Sequence, residues 1–317
     1  MGESKLEWLA GVEPQNGSPN SDREADIVFV HGLMGHFYST WHPQESKKDR
    51  DFFPSWLAED FDRFSVWSID YDADPVSFNQ NDLPLVELGD DIKSLLANSG
   101  ELGDKPIFFI THSLGGIVVK QMLRNAQAYG DEYEKAIANN TKGIVYIATP
   151  HSGAGLASLL VFFGIITEKI TSERIKDLER SNPQLLELNR VHRGDENFKA
   201  IPVKIFGENQ KTKWKNTVGV MVVDKASVDL GLPNVSPLIL KDEDHISIAK
   251  PKSPEARLYK EVKVFIKRNF KKKQPLVPLE TKQPESQANQ VINVENGDYF
   301  ENVKGNVIKV QGNYRDL

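Results

Sequence analysis

The chain has 317 residues, of which 39% are hydrophobic, so it is long enough for one large domain with additional segments. It contains no cysteine, which excludes a disulfide framework, a thiol nucleophile and zinc sites built from thiolates. The formal net charge of −6 argues against general nucleic-acid binding, so we expect no nucleic-acid partner.

Residues 1–24 are predicted to form an N-terminal extension. They are polar, and no basic region followed by an apolar run is present, so we expect no secretory signal. The longest largely apolar run, 156–166, is shorter than the ~20 residues that a membrane-spanning helix needs. These features predict a soluble, cytoplasmic protein, and peripheral contact with a membrane remains an open alternative.

Residues 25–270 are predicted to form the main domain, an α/β domain in which strand and helix patterns alternate. β-branched apolar runs bounded by polar residues or glycine predict strands, and apolar residues at helical spacing predict helices. Alternation of this kind predicts a mostly parallel sheet with helices on both faces. The predicted strands are 26–31, 64–71, 106–110, 143–148, 201–206 and 238–240, and the predicted helices are 85–97, 117–129 and 256–270.

Residues 109–116 (FITHSLGG) run from a predicted strand through a serine directly into a predicted helix. This is the context of the G-x-S-x-G nucleophile elbow, whose sharp turn exposes the serine hydroxyl at the carboxyl end of the sheet. Thr111 replaces the first glycine of that pattern. The segment predicts Ser113 as a nucleophile, and the alternative is an ordinary strand–helix junction with an incidental serine.

Residues 30–35 (VHGLMG) follow the first predicted strand, where enzymes with such an elbow place part of the oxyanion hole. Gly32 permits the loop to fold over the serine. We expect the backbone N–H groups of Leu33 and Leu114 to stabilise an oxyanion together. Loss of one such donor typically lowers turnover by ~10²–10³.

Four segments in this order resemble a known family, the lipase-like α/β-hydrolases related to the serine active site containing protein. The resemblance covers residues 5–270 and implies an α/β-hydrolase fold, hydrolysis of lipid or other esters, and a link to phospholipid remodelling. Similar domains occur as effector modules of immune proteins with NACHT-type NTPases. The matching segments are 26–41 (DIVFVHGLMGHFYSTW), 111–123 (THSLGGIVVKQML), 147–154 (IATPHSGA) and 244–251 (DHISIAKP).

A serine hydroxyl becomes a good nucleophile when a histidine accepts its proton. Two histidines lie well downstream of both Ser113 and the segment 147–154. His192 lies among helix-forming residues, where a surface histidine is the simpler interpretation. His245 follows the last predicted strand and precedes the closing helix, where this fold carries its catalytic histidine. We therefore predict His245 as the base.

Other histidines, His31, His36, His42 and His151, are predicted to have no role in the chemistry. We expect His31 to shape the loop over the serine, and His151 to line the pocket. His31, His36 and His42 lack the acidic partners and helical spacing that would indicate a metal site. We therefore expect no metal and no cofactor.

The acid of a triad holds the histidine tautomer and stabilises the imidazolium. We expect it at the end of the predicted strand 201–206, and Glu208 follows that strand almost at once. Asp224 is the alternative, because it lies on a segment where many lipases carry their aspartate. We favour Glu208 on its strand-end position, and the resemblance also implies a glutamate there.

Residues 156–166 follow the strand after the elbow, where these hydrolases insert cap elements. A helix that is apolar nearly all round would cover an acyl pocket or contact a membrane surface, and the substrate would then carry a long apolar acyl chain. The alternative is a core helix packed on the sheet.

The basic residues within 267–273 would assist at an anionic membrane, although such a run is usually a solvated helix end.

The C-terminal part of the chain differs in composition from the main domain. Residues 271–290 are rich in Lys, Pro, Gln and Glu and are predicted to form a flexible linker.

In residues 291–317, short β-prone runs alternate with Gly-Asn or Gly-Asp units, which favours stacked strands. This tail resembles amyloid-type signalling motifs, so the predicted partners are other copies of the chain or a NACHT-type protein. A docked hairpin and disorder are the alternatives.

The leading interpretation is a serine esterase or lipase that forms an acyl intermediate on Ser113, which water hydrolyses with the help of His245. The closest alternative is an acyltransferase, because transfer to another alcohol uses the same intermediate. A non-catalytic hydrolase-fold signalling module recruited through its tail is the alternative from another class. The intact elbow, oxyanion loop and His245 argue against it.

Overall fold

The structure is a computed structural model that describes residues 3–15, 20–44, 51–72, 85–163, 183–213 and 219–270. All of these residues belong to one unit, Met1–Lys271. The predicted linker, 271–290, and the predicted assembly tail, 291–317, lie outside the described residues. So do residues 164–166 of the predicted cap element and residues 271–273 of the basic cluster.

A single seven-stranded sheet forms the centre of the described domain. The strands are β1 (Lys5–Gly11), β2 (Ala25–Val30), β3 (Phe64–Asp70), β4 (Ile107–His112), β5 (Thr141–Ile147), β6 (Val203–Gly207) and β7 (Leu238–Ile239). Their order across the sheet is β1-β3-β2-β4-β5-β6-β7. β1 runs antiparallel to β3, and the other neighbouring pairs are parallel. The predicted mostly parallel α/β architecture is confirmed.

Helices pack on both faces of this sheet. They are α1 (Phe53–Asp60), α2 (Leu85–Asn98), α3 (Leu114–Tyr129), α4 (Glu132–Asn140), α5 (Gly153–Phe162), α6 (Pro183–Gly194), α7 (Glu196–Lys199), α8 (Lys225–Val228) and α9 (Arg257–Asn269), with a 3-10 turn at Ser247–Ala249. Successive residues of β2 point to opposite faces: Val28 joins a core cluster with α2 and α3, and Phe29 joins a second cluster with α1 and α9. Burial on both faces explains why the central strands are continuous apolar runs.

The prediction that residues 1–24 form an extension outside the domain is wrong for Lys5–Gly11. This segment is an edge strand that pairs with β3 from Lys5 opposite Asp70 to Gly11 opposite Ser65, with an irregularity between Trp8 and Ala10. An antiparallel edge strand needs no crossover helix and is only partly buried. The segment therefore lacks the long apolar run by which the central strands were predicted.

The predicted cap element has the structure of a core helix over its described part. The side chains of Leu156, Leu159 and Leu160 on α5 are buried in the cluster that contains α2 and α3. Val161 is an exception, with 42% of its surface exposed. Over the described ranges, no helix has both the length and the apolar character that crossing a membrane would require.

Candidate active site

Ser113 occupies the sharp turn between the end of β4 and the start of α3. Its backbone has φ 54° and ψ −126°, a conformation that is rare for a residue with a side chain and costs on the order of 1–3 kcal/mol. Hydrogen bonds hold the turn: the Ser113 N–H donates to the Ile147 carbonyl on β5 at 2.9 Å, and the Gly116 N–H donates to the Ser113 carbonyl at 3.2 Å. The predicted strand–turn–helix geometry is present.

Neighbouring residues let the turn approach the rest of the sheet closely. A Cβ atom on Gly115 would lie 2.3 Å from the His31 carbonyl oxygen, so a side chain is excluded there. At Thr111, where the usual pattern has glycine, the buried side chain donates from Oγ1 to the Val145 carbonyl on β5 at 2.9 Å. The threonine thus fits because its hydroxyl bonds to the adjacent strand.

The loop after β2 lies directly over the serine, as predicted. A Cβ atom on Gly32 would lie 2.6 Å from the Cβ and 3.1 Å from the Oγ of Ser113. The Gly32 carbonyl accepts from the Gly35 N–H at 3.0 Å and from Nδ1 of His31 at 2.9 Å. His31 therefore shapes this loop. Leu33 and Leu114 are buried beside Gly32 and Ser113, and their role as oxyanion donors stays a prediction.

Ser113, His245 and Glu208 form a continuous chain of hydrogen bonds. Nε2 of His245 lies 3.0 Å from Oγ of Ser113, and Nδ1 lies 2.6 Å from Oε2 of Glu208. All three side chains are buried. Because a carboxylate only accepts hydrogen bonds, the contact with Glu208 places the imidazole proton on Nδ1. In the neutral imidazole, Nε2 then carries no hydrogen and is able to accept the serine proton.

Glu208 is held in place by backbone groups of a later segment. Its second oxygen, Oε1, accepts from the N–H groups of Val222 and Val223 at 2.9 and 3.0 Å. Asp224, the alternative acid, is exposed and accepts from the Ser227 N–H at 2.7 Å as the N-cap of α8. Of the two candidates, the structure brings Glu208 to His245 and leaves Asp224 in a capping position.

Two side chains that sequence reasoning missed hold the backbone of His245. Its N–H donates to Oγ1 of Thr212 at 2.9 Å, and its carbonyl accepts from Nε2 of His112 at 2.8 Å. Burial, reinforced by the nearby His245, lowers the pKa of His112 well below its usual value. His112 could have been found from the sequence, because it immediately precedes Ser113, whereas nothing in the sequence indicated that Thr212 contacts His245.

The prediction that His192 is a surface histidine is wrong. It is buried, its Nε2 lies 3.1 Å from the Lys120 carbonyl, and burial lowers its pKa to about 3. His151 also contacts Lys120, with 2.8 Å between Nδ1 and Nζ, and Nζ lies 2.8 Å from Oδ1 of Asn189. Burial lowers the pKa of Lys120 well below its usual value.

Within the parts of the chain that the structure describes, no three or more His, Asp or Glu residues are grouped so as to hold a metal ion.

Residues 27–237 match the profile of the Alpha/beta hydrolase family. The chain belongs to this family. This alpha/beta hydrolase is also similar to Protein SERAC1 of Mus musculus, with 31% identity over 268 residues that cover 77% of this chain and 38% of the relative. Protein SERAC1 of Homo sapiens is 30% identical over 269 residues, covering 77% and 39%. The chain thus spans about two fifths of the length of these curated relatives.

The solved structures that are similar to this alpha/beta hydrolase include two bacterial proteins. The mature form of Bacillus licheniformis lipase BlEst2 aligns with a TM-score of 0.45 and 18% identity, covering 77% of this chain and 92% of that one. A lipase-esterase related protein from Clostridium acetobutylicum ATCC 824 aligns with a TM-score of 0.42 and 13% identity, covering 84% and 100%.

Proposed function

We propose that this alpha/beta hydrolase is a serine esterase that cleaves carboxylic esters, lipid esters among them, through an acyl-enzyme intermediate on Ser113. The observation that carries the proposal is the buried path of hydrogen bonds from Oγ of Ser113 through His245 to Glu208, with steps of 3.0 and 2.6 Å. A nucleophile bonded to a base, and a base oriented by an acid, is the arrangement that acyl transfer requires.

In the first half-reaction, Oγ of Ser113 attacks the ester carbonyl while Nε2 of His245 takes the hydroxyl proton. The resulting oxyanion lies under the loop over the serine, where the N–H groups of Leu33 and Leu114 are proposed to donate to it. The intermediate collapses when the bond to the alcohol oxygen breaks. His245 gives its proton to that oxygen, and the alcohol leaves an acyl-Ser113 ester.

In the second half-reaction, water replaces the alcohol. His245 takes a proton from water as the oxygen attacks the acyl carbon, and the proton returns to Oγ of Ser113 when the serine departs. The products are the free acid and the regenerated enzyme. Glu208 stabilises the imidazolium that forms in each half, and its buried position makes that stabilisation larger than it would be in water.

Apolar side chains near the site support an acyl substrate with apolar character. The Phe163 ring lies edge-on to the His245 ring, with 6.3 Å between the centroids. On the loop over the serine, Met34 adopts a left-handed backbone with φ 52° and leaves 50% of its surface exposed. An exposed methionine is a flexible apolar contact of the kind that adapts to different chains.

Labelling with a fluorophosphonate probe tests the nucleophile. We expect the intact protein to be labelled and Ser113→Ala to lose both labelling and ester hydrolysis. Ser68→Ala is the matched control, since Ser68 is equally buried but bonds to the Phe29 carbonyl on β2 at 3.3 Å. Equal labelling of wild type and Ser113→Ala would refute the proposal.

Rates on p-nitrophenyl esters of short and long acyl chains test the substrate class. Comparable or higher kcat/KM on the long chains is the expected result for a lipid esterase. A strict preference for short chains would refute the lipid part while leaving a serine esterase. The same assay with an added alcohol detects acyl transfer, because the ester product then replaces the free acid.

A further inference from the structure

We propose that Thr212 and His112 are positioning residues that hold His245 from both sides of its Cα atom and align it with Ser113 and Glu208. The inference rests on the proposed esterase function, because it concerns how the base of that reaction is placed. Neither side chain contacts the reacting atoms in this proposal. Both act through the backbone of His245.

The geometry is a two-sided clamp on one residue. Thr212 accepts the His245 N–H with its hydroxyl oxygen at 2.9 Å, and His112 donates from Nε2 to the His245 carbonyl at 2.8 Å. Thr212 and His245 have no exposed surface, and His112 has 8%. Since a buried N–H or carbonyl without a partner is costly, each bond strongly favours one backbone position for the histidine.

The two arms of the clamp come from different parts of the fold. His112 is the last residue of β4, immediately before Ser113, so one arm ties the base to the strand that carries the nucleophile. Thr212 lies after β6, beyond Glu208. Nε2 of His112 is the donor in this contact, because a carbonyl only accepts and an imidazole can carry a hydrogen on that nitrogen.

The backbone of Thr212 also pairs with the segment that holds Glu208. Its N–H donates to the Val220 carbonyl at 2.8 Å, and the Val220 N–H donates back to the Thr212 carbonyl at 3.0 Å. Val222 and Val223 follow Val220 closely in the chain, and their N–H groups donate to Oε1 of Glu208. One residue thus fixes the base with its hydroxyl and the segment that holds the acid with its backbone.

This arrangement makes a specific substitution informative. Thr212→Val keeps the shape of the side chain and the backbone bonds to Val220, but removes the oxygen that accepts the His245 N–H. A displacement of about 1 Å at a reacting group is enough to lower a rate on the order of 10²-fold. We therefore expect kcat to fall roughly 10- to 100-fold while KM stays nearly unchanged.

Two further variants separate positioning from simple loss of stability. Thr212→Ser restores the hydroxyl and is expected to recover most of kcat. Thr141→Val makes the same chemical change at a buried threonine whose Oγ1 donates to the Ile137 carbonyl at 2.9 Å. Thr141 pairs with Ile107 at the start of β4, the end of that strand remote from Ser113, so its kcat is expected to match wild type.

The assay measures kcat and KM on a p-nitrophenyl ester, with active sites counted by fluorophosphonate titration so that unfolded protein does not contribute. Wild-type kcat in Thr212→Val, a change confined to KM, or failure of Thr212→Ser to recover would each overturn the inference and leave the esterase proposal intact. If wild type shows no hydrolysis that depends on Ser113, the proposed function itself fails, and the inference fails with it.

If Thr212→Val does not fold, the other arm supplies the test. His112→Gln places an amide N–H where Nε2 stands and is expected to keep most of kcat. His112→Leu removes the donor and is expected to lose at least 10-fold. Equal kcat in the two variants would overturn the inference.

Discussion

Glu208 divides its two carboxylate oxygens between His245 and the backbone. Oε2 lies 2.6 Å from Nδ1 of His245, and Oε1 accepts the N–H groups of Val222 and Val223. Both oxygens are acceptors, and both sets of partners are donors. The residue at this position therefore has to accept hydrogen bonds on both sides, which a carboxylate does and a carboxamide does not.

Glu208→Gln tests this requirement. The amide oxygen is expected to remain with the Val222 and Val223 N–H groups, which turns the NH₂ group toward Nδ1 of His245. The imidazole then carries its proton on Nε2 and can no longer accept the serine proton, so we expect kcat to fall on the order of 10⁴-fold. Steady-state hydrolysis of a p-nitrophenyl ester measures it.

Asp224→Asn is the matched control for that variant. Asp224 caps α8, and asparagine is an equally good cap, so its kcat and stability are expected to equal those of wild type. A larger loss in Asp224→Asn than in Glu208→Gln would reverse the assignment of the acid.

Gly32→Ala tests how tightly the loop lies over the serine. The added methyl group would stand 2.6 Å from Cβ of Ser113, so the loop or the serine has to move. We expect the rate of fluorophosphonate labelling to fall at least 10²-fold, in the range seen when an oxyanion donor is lost. Gly194→Ala is the control, since a Cβ atom there meets nothing within 4 Å. Unchanged labelling of Gly32→Ala would contradict the close approach.

His192→Gln tests the cost of burying a histidine. The folded-state pKa of His192, about 3, is below its usual value of 6.5, so the unfolded chain binds the proton more readily. Stability is therefore lost as pH falls from 6.5 toward 3. Glutamine keeps an N–H for the Lys120 carbonyl without titrating. As the pH is lowered from 7 to 5, wild type is therefore expected to lose about 2 kcal/mol more of its free energy of unfolding than His192→Gln loses.

Urea unfolding at several pH values measures that difference. His112 and His151 also have pKa values lowered by burial, so wild type and His192→Gln should both lose stability in acid, with a smaller slope for the variant. Parallel curves for the two proteins would show that His192 does not titrate on unfolding in this range.

A buried ion pair at the start of β2 provides a prediction about stability alone. Nε of Arg23 lies 3.0 Å from Oδ1 of Asp26, and Nε1 of Trp67 donates to the same oxygen at 3.0 Å. Burial raises the pKa of Asp26 to about 6, although Arg23 opposes the shift. Arg23→Met leaves the carboxylate without its cation, and we expect the free energy of unfolding to fall by about 3–5 kcal/mol.

The double variant Arg23→Met, Asp26→Asn separates the lost charge pair from lost packing. Asparagine removes the charge and keeps an oxygen for the Trp67 N–H, so most of the stability should return. Denaturant unfolding measures both variants. If the double variant is no more stable than Arg23→Met, the cost lies in the packing of the arginine side chain.

The central part of the fold was predictable because strands buried on both faces have an unmistakable apolar pattern. The ends of the strands were less predictable. β4 runs to His112, two residues beyond the predicted end, because its pairing with β5 continues to Ile147. α4 was missed although its start carries a readable capping box, in which Asp131 and Glu134 bond reciprocally to each other's backbone N–H. β1 was missed because a partly exposed edge strand has no such pattern.

In the candidate site, too, the residues that lie in local sequence motifs were predictable and those brought together only by the fold were not. The positions of Ser113 and His245 were predictable because each lies in a short motif that follows a predicted strand. The clamp on His245 was not, because its two partners are 133 and 33 residues away in the chain and meet it only after the loops fold. His192 was misjudged because helical spacing does not tell which neighbour covers a given face, and here Lys120 on α3 does.

The antiparallel strand at the sheet margin has a practical bearing on where this domain can be cut. A fragment that begins at Ala25 would retain the serine, the histidine and the glutamate, but would uncover the backbone donors and acceptors of β3 along Phe64–Asp70. Exposed strand margins of that kind recruit other chains and aggregate. A stable fragment of this domain therefore has to keep the edge strand Lys5–Gly11.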